Sequence, residues 1–303
     1  MAISRAQLVK ELEPGLNALF GLEYDRYTNE TAEIFTTETS DRAFEEEVML
    51  SGFGSAATKA EGASVTFDDA KEAFTARYTH QTIALAFAIT EEAIEDNLYD
   101  RLGNRYARAL ARSMANTKQV KGAEILNNAF STSQLGGDGV VLCSTAHPTV
   151  SGTNLSNTFT TQADLSETSL ESALINIAAF IDERGLKISI QGTKLILPKE
   201  LQFTAERILK SPLRVGTADN DINAIANMNM IPEGYRVNHY LNDTNAWFIK
   251  TDTPNGFKHF VRAALRTAME GDFDTGNVRY KARERYSFGF SDPRCVYGSS
   301  GST

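Results

Sequence analysis

Few side chains in this 303-residue sequence are of types that could carry chemistry. Four histidines, His80, His147, His239 and His259, are scattered along it, and each would need a carboxylate or a nucleophile beside it to move a proton. Cys143 and His147 stand in C-x3-H spacing, half of a zinc-binding pattern, but no second pair completes it. His147 precedes Pro148 and has no Asp or Glu close by in sequence to orient it, so it reads as a residue that fixes a turn. There is no G-x-S-x-G elbow, no phosphate-binding G-x-x-x-x-G-K-[ST], no G-x-G-x-x-G and no H-E-x-x-H. Trp247-Phe248 lacks the interleaved basic residues of a base-stacking platform and reads as core. No catalytic centre, metal site or cofactor is therefore expected, and a soluble hydrolase built from distant residues is the remote alternative.

Charge carries more pattern. Arg101, Arg105, Arg108 and Arg112 follow one another at 4-3-4 spacing, within a ~60° sector of one helix face. Such a stripe is either a basic rail for nucleic acid or for acidic groups of another subunit, or a solvated face with pairs along its own helix. The whole chain has a net charge of -9, without the basic footprint of a protein that reads nucleic-acid sequence. Two cysteines, Cys143 and Cys295, are too few for a disulfide framework and suit a reducing compartment. The longest apolar run, Ile83 to Ile89, falls short of the ~20 residues that cross a bilayer, and the first residues lack a signal peptide's apolar block.

The elements that must position these residues are long. Phe44-Glu45-Glu46-Glu47-Val48-Met49-Leu50 begins an extended run, small residues from Gly54 to Ala63 turn it, and a second run returns from Glu72 to Ile89. At about 3.3 Å per residue the return run reaches roughly 60 Å, against a diameter on the order of 50 Å for a compact globule of this length. An isolated two-stranded ribbon is marginal in water, so the arm should find its partner surface on another molecule. Apolar parity changes from Phe74 and Tyr78 to Ile83, Leu85, Phe87 and Ile89. Near Thr79-His80-Gln81-Thr82 the strand therefore bulges and turns its buried face to a second partner, or two short strands meet at a kink. Thr90 then caps a helix rich in early acids, Glu91, Glu92, Glu95 and Asp96, expected to run at least to Thr117 and as far as Asn128. Its row Ile94, Leu98, Leu102, Tyr106, Leu110 and Met114 winds around the axis, so the helix should lie across several elements as a spine. Gly103 inside it marks a close backbone crossing or a tolerated defect.

Residues 1–40 read as an arm with one short helix, its stripe Ala6, Val9, Leu12, Leu16 and Leu19 interrupted by Pro14-Gly15. So little apolar surface needs support from outside the chain's own core. A second unit opens with the capping box Thr168-Ser169-Leu170-Glu171, with Leu170, Leu174, Ile177, Ala178 and Ile181 inward and Gly185 as the stop. A buried strand Lys194–Leu197, a helix from Pro198 and an Asn/Asp-rich loop over 211–231 follow. Strands Tyr235–Leu241 and Ala246–Lys250 are joined by the turn Asn242–Asn245, and the strand-like runs Phe257–Leu265 and Val278–Phe288 should return to the first body.

Four phrases, in order, carry a family resemblance: Lys59-Ala60-Glu61-Gly62, the run Phe87 to Asp96, Leu142-Cys143-Ser144-Thr145-Ala146-His147-Pro148, and the run Leu241 to Phe248. They resemble the major capsid (major head) proteins of tailed bacteriophages, with the Hong Kong 97-type fold shared by encapsulins, and among these the Mu-type head subunits. The resemblance implies an α+β capsid fold: an N-terminal arm at 1–40, an extended loop (E-loop) at 41–89, a peripheral domain with the spine helix at 90–165, an axial domain at 166–256, and a return to the peripheral domain at 257–303. It implies a structural subunit, not an enzyme, that assembles with itself as hexamers and pentamers into an icosahedral head around double-stranded DNA, without sequence-specific contact. Further implied partners are a separate scaffolding protein, because Met1 begins at the arm, a portal protein and a cement protein, with no membrane. Assembly would take place in the bacterial host cytoplasm. Ser55, Lys59, Glu61 and Gly62 at the loop tip are then candidates for contact between subunits, and Arg101, Arg105, Arg108 and Arg112 form the spine-helix stripe. Lys59 is the one lysine at the tip, and no motif identifies an asparagine partner, so covalent joining is not expected. An encapsulin-like compartment around an enzyme cargo is the alternative.

Overall fold

The computed structural model describes residues 5–90, 92–93, 99–214, 221–272 and 276–302, with side chains from residue 14 onward except 99–102. Helix α1 runs Arg5–Arg26, straight through Pro14, and does not stop at Pro14-Gly15. Both residues lie on its exposed side, where water can serve the carbonyl that proline leaves without a donor. On the opposite side Leu16 and Phe20 are buried against Ala107, Leu110, Ala111 and Met114 of the spine helix α2 (Tyr99–Asn127) and against Tyr280 and Ala282 of strand β9 (Val278–Phe290). The N-terminal segment is thus held by the chain's own core, contrary to the expectation from its sparse stripe. Ala6, Val9 and Leu12 fall outside the described side chains.

Thr90 Oγ1 accepts from the Ala93 N–H at 3.4 Å, as expected of a cap, while Ile94 and Leu98 lie outside the described residues. α2 spans 29 residues, about 43 Å at 1.5 Å per residue. It packs in turn against α1, strand β4 (Gln81–Ile89), β9 and the single-turn helix Thr31–Glu33, as a spine should. Gly103 has room for a methyl, since a Cβ there would sit 3.5 Å from Ile89 and 3.7 Å from Leu16. The close crossing is at Gly122 instead, where a Cβ would run into Thr31.

The first sheet has the order β1-β8-β9-β4. β1 (Thr36–Thr39) lies parallel to β8 (Phe257–Gly271), and β8 and β9 form a long hairpin whose other side pairs antiparallel with β4. α1 and α2 cover one face of this sheet, into which Ile83, Phe87, Leu265 and Met269 also point. The second sheet has the order β10-β7-β5-β6, from β10 (Val296–Ser299), β7 (Trp247–Thr251), β5 (Gly192–Leu197) and β6 (Tyr235–Val237). The strands flanking Asn242–Asn245 are therefore not a hairpin, because β5 lies between them. Leu195, Ile196 and Leu197 are buried on both faces, and only a central position covers such a strand.

Helix α3 (Glu167–Ala178) starts two residues before the expected box. Ser166 Oγ accepts from the Ser169 N–H at 3.1 Å, and Ser169 Oγ accepts from the Ser166 N–H at 2.9 Å. Ala178 is exposed, not inward, and Gly185, with φ +82, serves the turn 182–186 and not the helix end. Trp247 is fully buried, its indole N–H bonded to the Ala163 carbonyl at 3.0 Å, so it is core as expected. α4 (Gln202–Lys210) follows, and the 211–231 segment contains a short helix, α5 (Ala224–Asn227), with 215–220 outside the described residues.

Candidate assembly surfaces

His80 is where the long return run divides. β3 (Glu72–Thr79) pairs with β2 (Phe44–Leu50) as a two-stranded ribbon, and β4 pairs with β9. Each half has its own partner, as the parity change required, through a break between two strands. The buried His80 ring sits 2.9 Å from Ser40 Oγ and 3.0 Å from Ser287 Oγ, which fixes the ribbon's root to the first sheet.

The ribbon is not wholly free of its own body. Tyr78 meets Phe260 edge-on at 4.9 Å, in space left by Gly289, where a Cβ would come within 2.6 Å of the ring. Glu47 bonds Ser291 and shares Lys258 with Glu38. These ties hold one face only. Along β2, Glu45, Glu47 and Met49 are half-buried toward the body, while Phe44, Glu46, Val48 and Leu50 face solvent. That inverts the usual order of apolar residues inward and charged residues outward.

Residues 51–71 carry no strand, and Ser55, Lys59, Glu61 and Gly62 are all exposed there, Gly62 in a turn with φ +78. Phe53, Val65 and Phe67 are exposed as well, Phe67 at 94%. Such an apolar, edge-rich segment is a liability unless covered. Asp68 ties the loop to the body by accepting from Arg184 at 2.9 Å, and closes the loop on itself by accepting from the Gly54 N–H at 2.7 Å. Those donors hold the Asp68 carboxyl below the usual carboxylate range.

Arg105, Arg108 and Arg112 are exposed on α2, while Arg101 lies on the helix with its side chain outside those described. From Arg101 to Ala123 the sequence has no Asp or Glu, and among the described residues no hydrogen bond or ion pair reaches Arg105, Arg108 or Arg112. The intrahelical pairs of the solvated-face reading are therefore absent at these three. No described contact joins the stripe to the loop tip, so the two candidate sets are separate surfaces.

His147 and the two cysteines are buried. Asp138 reaches His147 Nδ1 at 2.6 Å, an orienting carboxylate not evident in the sequence, because a turn at Gly139 (φ +76) folds it back. Nε2 of the same ring faces Asn157 Oδ1 at 3.2 Å, and the Asn157 amide donates to the Leu142 and Pro293 carbonyls at 2.7 and 2.9 Å. With both nitrogens engaged and the residue 1% exposed, His147 joins three segments and has no atom left for a substrate. Cys143 and Cys295 are buried free thiols whose pKa burial raises. Among the described residues no group of three His, Cys, Asp or Glu side chains could hold a metal.

A family model described as phage capsid protein matches residues 71–299. No curated protein sequence matches. Three solved structures resemble the chain along most of its length. A virus-like particle from Pyrococcus furiosus is 11% identical, with 94% of this chain and 97% of that one covered and a TM-score of 0.52. A structure described as Mycobacterium phage Adephagia is 12% identical, with 91% of each chain covered and a TM-score of 0.54. The capsid of an empty GTA particle is 14% identical, with 89% of each covered and a TM-score of 0.52. At such identities the likeness is one of fold, a mixed α+β capsid subunit.

Proposed function

This chain belongs to the phage capsid protein family, and from that premise we propose how its copies close around DNA. Its role is structural, as a major capsid subunit of the virion that assembles with copies of itself into a shell. The units of that assembly are the N-terminal arm 1–40, the E-loop 41–89, whose last strand β4 anchors it in the first sheet, the peripheral domain 90–165 with its return 257–303, whose last strand β10 joins the second sheet, and the axial domain 166–256. Hexamers and pentamers form when each E-loop crosses to a neighbour, with Ser55, Lys59, Glu61 and Gly62 at its tip in contact with the next subunit. The observation that carries this reading is the outward face of the ribbon and loop, where Phe44, Val48, Leu50, Phe53, Val65 and Phe67 are exposed. Burying six such side chains is worth on the order of 10 kcal/mol before the entropy of association is subtracted.

Deletion of Gly54 to Ala63 tests it. The shortened chain should stay soluble and folded yet form no closed shells in electron micrographs, and normal particles would refute the role given to the loop.

The enclosed partner is double-stranded DNA, held without reading its sequence, and the stripe Arg101, Arg105, Arg108 and Arg112 is the rail that faces it. A net charge of -9 keeps that contact shallow. At roughly 0.9 per phosphate, four arginines limit the log–log salt slope of DNA binding to about -4 per subunit. A steeper slope would mean that the wall grips DNA through other surfaces. A separate scaffolding protein, a portal protein and a cement protein complete the proposed partners, with assembly in the host cytoplasm.

A further inference from the structure

Among the described residues six strands lie at sheet edges: β1 and β4 in the first sheet, β10 and β6 in the second, β2 and β3 in the ribbon. An edge strand presents unpaired N–H and C=O groups, and proteins blunt it by keeping it short, charging it or covering it. Five of the six are protected in one of these ways. β1, β6 and β10 have four, three and four residues. β2 carries Glu45, Glu46 and Glu47, and β3 carries Glu72 and Arg77, with Gly137 close against its backbone. β4, which reads Gln81-Thr82-Ile83-Ala84-Leu85-Ala86-Phe87-Ala88-Ile89, has none of these devices. It runs nine residues without a charge, a proline or a glycine, and its register with β9 is unbroken. Its helix-side row is also incomplete at the centre. Ile83 and Phe87 pack into the core beneath α1 and α2, whereas Leu85 between them is 46% exposed. The helix layer stops short of this edge and leaves it open to another strand.

We propose that the open edge of β4 pairs antiparallel with β4 of another copy of the chain, about a two-fold axis through Leu85, so that the first sheets of two subunits run together across the contact. The inference rests on the reading of the chain as a shell-forming subunit and adds to it a contact that joins one ring of subunits to the next.

The strand's own sequence selects that occupant. Turned about Leu85 it matches itself: Leu85 faces Leu85, Ala84 faces Ala86, Ile83 faces Phe87 and Thr82 faces Ala88. No like charges meet, and apolar side chains directly opposite one another stabilise a sheet. β4 offers no charge by which a charged partner strand would be recognised. Symmetry points the same way. Contacts that repeat head to tail close rings but do not join one ring to another, whereas a two-fold contact uses one patch twice and can. The size of the contact fits a bond made only within the shell. Nine paired residues extend roughly 30 Å, and a strip one strand wide covers about 300 Å² per partner, well under the ~800 Å² of a stable interface. Subunits should therefore stay unpaired in dilute solution and pair when many such contacts act together.

Leu85→Cys tests the pairing directly, because position 85 alone on the strand would face itself. Directly opposite residues of an antiparallel pair have Cα atoms about 4.5–5.5 Å apart, within disulfide reach, and both native cysteines are buried. Oxidised Leu85→Cys particles should give chain dimers on non-reducing gels, and dissociated subunits should give none. Gln81→Cys, whose counterpart would lie about 27 Å away, should give none in either state. Closed particles without the Leu85→Cys dimer, an equally strong Gln81→Cys dimer, or the introduced thiol joined to a different polypeptide would each overturn the proposal. Leu85→Lys puts like charges on the axis and should lower shell yield at least tenfold, with rings of subunits, circular dichroism and melting unchanged; Leu85→Glu should do the same. Expressed together, the two variants should give at least fivefold more shells than either alone, because opposite charges then meet, and Leu85→Ile should assemble normally. Normal shells from Leu85→Lys, loss of the rings along with the shells, or no rescue in the mixture would overturn the proposal. Wild-type subunits that never form shells would instead overturn the capsid reading, and this inference with it.

Discussion

His259 in β8 is buried, 3.1 Å from Thr37 Oγ1 and stacked on Phe288 at 4.3 Å. Burial, with Lys118 nearby, lowers its pKa from 6.5 to about 4. Between those values the unfolded chain takes up a proton that the folded chain refuses. Stability therefore rises with pH across this window and is lost as pH falls from 6.5 toward 4, by up to about 3 kcal/mol. Melting curves from pH 7 to pH 4 should show the fall, and His259→Phe should flatten it; an unchanged slope in that variant would assign the response to other groups. Arg294 poses the opposite problem. Its buried guanidinium lies 2.6 Å from Glu183 and 3.2 Å from Asp292, whose carboxyl burial already pushes above its usual range. Arg294→Met would leave two buried carboxylates without their cation, and denaturant unfolding should register a loss of about 3–5 kcal/mol.

At the scale of elements, the question is how a long ribbon stays aimed. Its root is fixed by His80, by Tyr78 against Phe260, and by the close approach of Gly137 to β3, where a Cβ would lie 2.7 Å from the Thr75 carbonyl carbon. Backbone cannot rotate out of the way as a side chain can. Gly137→Ala should therefore cost about 1–3 kcal/mol and speed limited proteolysis within 51–71. Gly103→Ala on the spine helix is the contrasting case. With 3.5 Å of clearance it should stabilise by up to ~1 kcal/mol, and a loss of stability there would mean that the helix packs more tightly than the structure shows.

For the molecule as a whole, apolar and acidic groups are exposed on the loop, and among the described residues Arg266, Lys281 and Arg283 on the open face of the first sheet have no hydrogen bond or ion pair. Raising salt from 0.1 M to 1 M shortens the Debye length from ~10 Å to ~3 Å. Assembly followed by light scattering should slow accordingly, while formed shells, held by apolar contacts that salt does not screen, should remain closed. Shells that open in 1 M salt would show charge, not apolar burial, as the dominant bond.

Local patterns in the sequence determined the ribbon, the spine helix and the buried second sheet strand, because strand alternation, helical rows and caps are properties of neighbours along the chain, while four short phrases carried the family resemblance. The same patterns could not decide what packs on what. Pro14-Gly15 marked a break that α1 tolerates on its wet side, Asp138 came to His147 across a turn, and β5 separated two strands that looked like a hairpin. The alternation in Arg279-Tyr280-Lys281-Ala282-Arg283 was present in the sequence, but either parity could have faced outward. Two helices settled it by burying Tyr280 and Ala282, and only then did the other half of the strand become a basic surface.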